Sequence, residues 1–175
     1  MEFAVVGWPS DEPTLDLDHR QFAYAGKFVV GDTGKAVASS DGTVVAAAAF
    51  SADRTDEATL RCRYITVRRD RQGEGIGPRL LRFVGDRAHE RGYETVLIAV
   101  NNPYAYVAAY RAGFAFTGDE TGVAETVLEA GGPRDAERYR DGLLTVAARD
   151  LPDYLEAYVE RRLESSVPTV VEPPA

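Results

Sequence analysis

The sequence has one cysteine, Cys62, and its 20 basic residues include only two lysines, Lys27 and Lys35. A single cysteine excludes a disulfide bond within the chain. There is no run of about 18 apolar residues, the length that a membrane-spanning helix needs. The N-terminus also lacks the basic and then apolar pattern of a signal peptide. These absences predict a soluble, cytoplasmic protein with no membrane partner.

The chain has 28 acidic residues and 20 basic ones, which gives it a net charge of −8. Clustered basic side chains drive binding to nucleic acid, so no nucleic-acid partner is expected. Excess carboxylates keep a protein surface hydrated where salt screens their repulsion. The composition therefore indicates either an acidic surface adapted to a halophilic cytoplasm or the ordinary acidity of a GC-rich genome.

The most informative stretch is glycine-rich and runs from Arg71 to Pro78. It follows the apolar run 64–67 and precedes apolar residues at helical spacing, which predicts a strand, a turn and a helix. Its three glycines at alternate positions let a ligand approach the backbone, and Pro78 suits a first helical position. Because unpaired amides at a helix N-terminus bind anions, the pattern predicts a phosphate or pyrophosphate site. The alternative interpretation is a strand-to-helix turn that binds no ligand.

Spacing separates three nucleotide-binding motifs. A P-loop requires Lys and then Ser or Thr where Pro78 and Arg79 stand, and the dinucleotide fingerprint requires a glycine at position 78. Neither fits. The pattern that fits is Gln/Arg-x-x-Gly-x-Gly/Ala, which Gln72, Gly75 and Gly77 meet. This stretch resembles the acetyl-CoA pyrophosphate loop of the GCN5-related N-acetyltransferase (GNAT) superfamily.

A second segment resembles the same family. Asn101 and Asn102 follow the apolar run 95–100, Ala105 stands three residues further on, and a predicted helix ends in Gly113-Phe114. The second CoA segment of the family has an asparagine, an alanine three residues later and a helix that ends in Gly-Phe. The resemblance covers residues 60–117 closely and the rest of the chain loosely.

The resemblance implies an α/β fold, the GNAT fold, with a mixed and mostly antiparallel central sheet, flanking helices and splayed central strands. Residues 1–130 are predicted to form the acetyltransferase domain, residues 131–165 a C-terminal helical extension packed on the same domain, and residues 166–175 a flexible tail. The extension has two apolar stripes at helical spacing, which must be buried on this domain or in a homodimer.

The function implied by the resemblance is transfer of an acetyl group from acetyl-CoA to a primary amine of a small molecule or a protein. The backbone of one strand is expected to bind the pantetheine arm and the acetyl oxygen, and the glycine loop the pyrophosphate, with charge added by Arg71 or Arg79. Asn102 is expected to meet pantetheine from the other side. No metal is expected. The strand and loop residues are Ile65, Thr66, Val67, Gln72, Gly73, Glu74, Gly75, Ile76 and Gly77.

The proton donor to the leaving thiolate is usually, in this family, a tyrosine four residues before the glycine of Gly-Phe. Ala109 occupies that position here. Tyr106 and Tyr110 share nearly the same helical face, so one of them is predicted to replace it as the general acid, and packing is the alternative role. Ala109 also favours an alternative function, a non-catalytic acyl-CoA-binding or regulatory module of GNAT fold. A nucleotide-binding domain would require ATP to outcompete CoA.

No general base is identifiable from the sequence. Glu57 precedes the motif strand, His19 and His89 have no partner pattern, and His89 is expected to face solvent. Cys62 alternates with apolar Leu60 and has no nearby base, which predicts a buried structural cysteine and not a nucleophile.

The strand that ends at Val67 changes its apolar face halfway, since Leu60 and Cys62 share one face whereas Ile65 and Val67 lie on the other. Such a change predicts a β-bulge. Two interpretations remain for Arg61 and Arg63 on this strand: they line the path of an acidic substrate, or they belong to a solvated sheet face.

Overall fold

The computed structural model describes residues 1–174, which form seven β-strands and four α-helices. The chain divides into two compact units. One comprises residues 1–96 with the C-terminal end from Glu172, and the other residues 97–171. This alternation of strands and helices confirms the predicted α/β class.

The first unit contains four strands that pair antiparallel in chain order. They are β1 (Glu2–Gly7), β2 (Gly34–Ser40), β3 (Thr43–Ala52) and β4 (Thr59–Val67). Asp41 and Gly42 both have positive φ, at 50° and 77°, which is the geometry of a tight hairpin turn. An Asp-Gly pair between two β-compatible runs predicts such a hairpin, and the antiparallel pairing of β2 with β3 confirms it. Apolar residues scattered among polar ones in the segment 11–28 predict one or two short helices, but the segment forms only a 3₁₀ turn near each end.

Helix α1 (Ile76–Arg91) packs on β2, β3 and β4. It begins two residues before Pro78, the predicted start, and its C-cap is Gly92, whose φ of 108° is a conformation that favours glycine. Its buried face presents apolar side chains three and four residues apart, as an amphipathic helix on a sheet requires. The largest of these are Ile76, Leu80, Leu81, Phe83 and Val84.

The bulge predicted in β4 lies at Arg63. Ala49 of β3 pairs with Tyr64, but the next residue, Phe50, pairs with Cys62, so Arg63 is the extra residue without a partner on β3. The bulge explains why the apolar face of the strand changes. It confirms the prediction and places Arg63 where the strand bends.

Strand β5 (Thr95–Val100) begins in the first unit, where the backbone amides of Glu94 and Thr95 donate to the carbonyl oxygen of Ala58 over 2.9 and 3.3 Å. The beginnings of β4 and β5 therefore lie together, as a right-handed crossover through α1 requires for parallel strands. The splay of these strands stays a prediction.

The second unit contains the rest of β5, β6 (Phe114–Glu120) and β7 (Thr126–Ala130), with β7 antiparallel to both neighbours. Three helices pack with them: α2 (Pro103–Arg111), α3 (Ala136–Ala147) and α4 (Asp153–Leu163). The two predicted C-terminal helices are therefore present. α3 contacts α2, β6 and α4, and its residues Tyr139, Leu143 and Val146 are buried.

The segment predicted to be a flexible tail has fixed partners in the second unit. Arg134 donates from Nη2 to the carbonyl oxygen of Pro168 over 2.7 Å, and the amide of Val171 donates to the carbonyl oxygen of Arg111 over 2.8 Å. Both bonds hold the tail beside the C-terminal end of α2. The boundaries 1–130, 131–165 and 166–175 themselves stay a prediction.

None of the helices in residues 1–174 has the length and apolar character needed to span a bilayer. Within the same residues, no three His, Cys, Asp or Glu side chains are grouped so as to hold a metal ion.

Candidate active site

The glycine loop lies between β4 and α1 in the first unit. A 3₁₀ turn at Arg69–Arg71 follows β4, Gln72 is extended, and Gly73 and Gly75 have positive φ of 85° and 77°. A residue with a side chain is strained in this conformation, so the path of the backbone itself requires these two glycines. Gly75 is the N-cap of α1.

Gly77 is different, because nothing in the fold requires a glycine there. It lies in the first turn of α1 without a positive φ, and an added Cβ would meet only Cγ2 of Val67, at an ordinary 3.4 Å. Glycine in a helix costs up to about 1 kcal/mol relative to alanine. The open space over Gly77 therefore fits a ligand that approaches the backbone.

Hydrogen bonds connect the loop and the residue after β4 to strands β4 and β3. The side-chain amide of Gln72 donates to the carbonyl oxygen of Val67 over 3.4 Å, and the amide of Arg68 donates to the carbonyl oxygen of Val45 over 2.8 Å. The first amides of α1 have no partners inside the helix, and together with the helix dipole they favour a bound anion.

Two arginines flank the loop in different states. Nε of Arg71 donates to both carboxylate oxygens of Glu74, at 2.8 and 2.9 Å, so Arg71 is already paired within the loop. Arg79 lies over the ring of Phe3, with its guanidinium carbon 5.0 Å from the ring centroid. Of the two arginines predicted to contact the pyrophosphate, Arg79 is the one without a carboxylate partner in residues 1–174.

The last residues of β4, which the resemblance assigns to the acetyl and pantetheine groups, pair with the alanines of β3. Ile65, Thr66 and Val67 lie opposite Ala48, Ala47 and Ala46. Thr66 is buried, and its two neighbours are half-buried. These three residues and the glycine loop are thus consecutive parts of the first unit.

Asn102 lies in the second unit as the N-cap of α2. Its Oδ1 accepts from the amide of Ala105 over 2.9 Å, and its Nδ2 donates to Oδ1 of Asn101 over 3.2 Å. An asparagine directly before Pro103 is typical of a helix N-terminus, and the structure confirms this cap, whereas the contact with pantetheine stays a prediction.

Tyr106 and Tyr110 are fully buried in the second unit and form an aromatic cluster with Tyr139. The Tyr106 hydroxyl donates to the carbonyl oxygen of Tyr139 over 2.8 Å, and the Tyr110 hydroxyl accepts from the amide of Phe116 over 3.0 Å. Burial and a hydrogen bond with Tyr110 raise the pKa of Tyr106 far above its usual value. Each hydroxyl thus has a structural partner, and the general-acid role of either tyrosine stays a prediction.

Cys62 is 6% exposed, and its burial raises the pKa of the thiol to about 12. The predicted burial of this cysteine is confirmed, and a raised thiol pKa is unfavourable for the thiolate that a nucleophile requires. The side chains considered as general bases are all exposed: Glu57, His19 and His89. None is oriented by a hydrogen bond in the described chain, and the solvent-facing position predicted for His89 is confirmed.

A cleft of about 520 Å³ in the first unit was not predicted. Its lining includes Lys27 and Asp32 from the segment before β2, and Arg54, Arg63 and Tyr64 from the β3–β4 turn and from β4. These residues are up to 37 positions apart, so no local motif connects them. The only signal in the sequence was the pair Arg61 and Arg63, whose first interpretation was the path of an acidic substrate.

Comparison of the chain with known proteins identifies its family. Residues 2–114 match the family model described as the acetyltransferase (GNAT) family. No curated protein matches the chain significantly.

Among solved structures, the IAA acetyltransferase of Bacillus cereus is 16% identical, with 74% of this chain and 97% of that one covered and a TM-score of 0.51. An N-acetyltransferase of Staphylococcus aureus Mu50 is 22% identical over 55% of this chain, with a TM-score of 0.48, and 66% of its own length is covered. The first similarity shows the fold, and the match of residues 2–114 covers well over half of the sequence. The chain therefore belongs to the acetyltransferase (GNAT) family.

Proposed function

We propose that this protein transfers the acetyl group of acetyl-CoA to a primary amine of a small molecule or a protein. The observation that carries this proposal is Gly77, a helical glycine that neither backbone conformation nor packing explains. A ligand that lies against the backbone explains it, and membership of the family supports the pyrophosphate of CoA as that ligand.

The residues of the first unit fit this cosubstrate. The amides of Gln72 to Gly77 lie at the N-terminus of α1, where a pyrophosphate is stabilised by N–H groups and the helix dipole. Arg79 adds a positive charge, whereas Glu74 neutralises Arg71. The backbone of Ile65 to Val67 is assigned to the pantetheine arm and the acetyl oxygen. Asn102, at the N-terminus of α2, is assigned to pantetheine.

Bound acetyl-CoA supplies an acyl group that is activated as a thioester. The amine nitrogen bonds to the acetyl carbon, the carbon–sulfur bond breaks, the amine loses one proton and the sulfur gains one. The protein must therefore hold the carbonyl, accept the amine proton and supply a proton to sulfur. Tyr110 or Tyr106 is assigned the last of these steps, and the base is left to water or to an unassigned group.

One observation favours a second function, a non-catalytic acyl-CoA-binding or regulatory module. Ala109 replaces the usual acid, and the hydroxyls of Tyr106 and Tyr110 are both buried and bonded to backbone groups. These features are expected of a protein that keeps the glycine loop for CoA but has lost the residue that protonates the thiolate.

Calorimetry with CoA, combined with thiol release from acetyl-CoA in the presence of an amine panel, separates the functions. Binding together with amine-dependent thiol release is the expected result. Tight CoA binding without turnover on any amine supports the binding module. Failure to bind CoA contradicts both, and preferential binding of ATP supports a nucleotide-binding domain.

A further inference from the structure

The cleft of about 520 Å³ in the first unit has an unusual charge for this protein. Three cations line it, Lys27, Arg54 and Arg63, against one carboxylate, Asp32. The chain as a whole carries a net charge of −8, and Lys27 is one of only two lysines in the sequence. A net positive cleft on a strongly acidic protein concentrates anionic ligands.

The three cations have no carboxylate partner in the described part of the chain. Asp53, which neighbours Arg54 in the β3–β4 turn, is already occupied by the amide and hydroxyl of Thr55, at 3.0 and 2.6 Å, and by Nε of Arg61, at 2.5 Å. The hydrogen bonds from Thr55 and Arg61 hold the pKa of Asp53 well below its usual range. Asp53 therefore neutralises Arg61 and leaves the charge of the cleft unbalanced.

The β-bulge gives Arg63 its position in the cleft. As the extra residue of β4, Arg63 has no partner on β3, and its Nε donates to Oγ of Ser51 over 2.8 Å. This bond fixes the guanidinium at one nitrogen and leaves its terminal fork for a ligand, the geometry that suits a carboxylate or phosphate. Partial desolvation and repulsion from Arg61 lower the pKa of Arg63 although the side chain is exposed, and a bound anion offsets that repulsion.

The wall opposite β4 is fixed by a buried lysine. Lys35 has no exposed surface, and its Nζ donates to the carbonyl oxygens of Val30 and Thr33, at 2.6 and 2.8 Å, and to the Thr33 hydroxyl, at 2.8 Å. Val30 and Thr33 both line the cleft. The cleft is therefore held in shape from both sides before any ligand binds.

Strand β4 connects this cleft to the cofactor segment. Arg63 and Tyr64 line the cleft, and Ile65 to Val67 follow at once on the same strand. At about 3.3 Å per residue, a group held at Arg63 lies within about 7–13 Å along the strand of the assigned acetyl-binding backbone. That distance suits an acceptor whose anionic group and amine lie at opposite ends of a small molecule.

We propose that this cleft binds the acetyl acceptor through an anionic group, a carboxylate or a phosphate, held by Arg63, Arg54 and Lys27. The substrate class is thus an amine that carries a carboxylate or a phosphate, and this assignment rests on the proposed acetyl transfer. The volume of the cleft is in the range of small-molecule sites.

The test uses matched amines that differ in the anionic group. 6-Aminohexanoate is compared with hexylamine, 8-aminooctanoate with octylamine, and the phosphate monoester of 6-aminohexanol with 6-aminohexanol, first for binding by calorimetry and then for turnover with acetyl-CoA. The anionic member of at least one pair is expected to bind about 10- to 100-fold more tightly than its neutral match, as hydrogen bonds to charged groups allow. The carboxylate and phosphate pairs show which anion is preferred.

Substitutions in the cleft then test whether its arginines cause the difference in binding between the anionic and the neutral amine. Arg63→Gln and the double variant Arg54→Gln with Arg63→Gln are expected to remove the difference within the pair and to leave the affinity for CoA unchanged. Arg140→Gln is the matched control, because Arg140 is an exposed arginine of α3 that does not line the cleft. Thermal unfolding verifies that each variant is folded.

Three outcomes overturn the proposal: equal or tighter binding of every neutral amine, no measurable binding of any anionic amine, or a preference that persists in the folded double variant. Because binding is measured without turnover, a failure of the anion site can be distinguished from a failure of the proposed acetyl transfer. If anionic amines bind in the cleft but none is acetylated, the anion site stands and the acetyl transfer does not.

Discussion

The hydroxyl of Tyr106 on α2 donates a hydrogen bond to the backbone carbonyl oxygen of Tyr139 on α3, over 2.8 Å. Both residues are buried, so Tyr106→Phe leaves a buried carbonyl without this donor. Because that carbonyl lies inside α3 and keeps its bond within the helix, we expect the free energy of unfolding to fall by about 0.5–1.5 kcal/mol, the net contribution of one hydrogen bond. Urea unfolding followed by far-UV circular dichroism measures the loss, and an unchanged midpoint contradicts it.

The same variant and Tyr110→Phe test the general-acid prediction. If one of these tyrosines protonates the leaving thiolate, its loss reduces turnover per folded molecule by about 10²- to 10⁴-fold with little change in CoA affinity. Rates are measured well below the unfolding midpoint of each variant, so that lost stability is not counted as lost catalysis. Full turnover in both variants would show that proton delivery comes from water or another group.

Gly77→Ala separates ligand binding from folding. Because φ at this position is compatible with alanine and the new methyl group meets only Val67, the free energy of unfolding should rise by about 0.4–1 kcal/mol. The same methyl group occupies the space assigned to the pyrophosphate, so CoA should bind more weakly. A more stable protein with unchanged CoA affinity would refute the glycine-loop assignment.

Two further glycines serve as controls for that experiment. Gly122→Ala changes a glycine that has no positive φ and an open environment, outside the loop, and should leave CoA affinity unchanged. Gly75→Ala forces alanine into a φ of 77° and should destabilise the protein as well as weaken binding. Calorimetry with CoA and thermal unfolding give both quantities for all three variants.

Substitution of Arg134 should lower the free energy of unfolding more than substitution of most other arginines in the second unit. Its Nη1 donates to the carbonyl oxygens of Tyr110 and Phe114, at 2.8 and 2.9 Å, and its Nη2 to that of Pro168. Arg134→Ala leaves these acceptors without a charged donor and should lower the free energy of unfolding by about 3 kcal/mol. Arg140→Ala, at an exposed arginine of α3, should change it by no more than about 0.5 kcal/mol. Equal effects would contradict the structural role of Arg134.

Cys62 should make stability depend on pH in the alkaline range. Burial raises the pKa of the folded thiol from 9.0 to about 12, so between these values the unfolded chain loses the thiol proton more readily than the folded one. Its stabilising effect is therefore complete below about pH 9 and is lost as the pH rises towards 12.

The same burial predicts that the native thiol does not react with an aromatic disulfide reagent at about pH 8, whereas the unfolded chain reacts once per molecule. Rapid modification of the native protein would contradict this. Cys62→Ala should flatten the alkaline stability curve, and measuring unfolding midpoints at a series of pH values detects the change.

Cutting the chain after Gly132 should prevent folding of the second unit. The cut removes the carbonyl that accepts from Tyr106, the guanidinium of Arg134, and Leu143 and Val146, which have no exposed surface. Apolar faces left exposed in this way cause aggregation. A truncated protein that stays soluble, with the circular dichroism expected for its length, would show that α3 and α4 are dispensable.

Local sequence patterns were sufficient to predict most of the helices, strands and turns and to locate the glycine loop. The Asp41-Gly42 turn, the cap at Asn102 and the end of α1 at Gly92 were all predictable, because each depends on residues that are neighbours in the chain. The bulge in β4 was also predictable, since period-two alternation fails where the bulge lies. These signals, together with the order of the two CoA segments, are enough to identify the family from the amino-acid sequence alone.

What the sequence could not determine depends on contacts between distant residues. The hydroxyl of Tyr106 donates to a carbonyl 33 positions later, on a helix outside the residues that match the family model. The cationic cleft exists because a segment before β2 and a bulged arginine on β4 meet across the sheet, and because Asp53 is occupied by Thr55 and Arg61. Periodicity and spacing describe which face of an element a residue lies on. Only packing decides which other side chain it meets there, and that determines whether a charge or a hydroxyl stays available for a ligand.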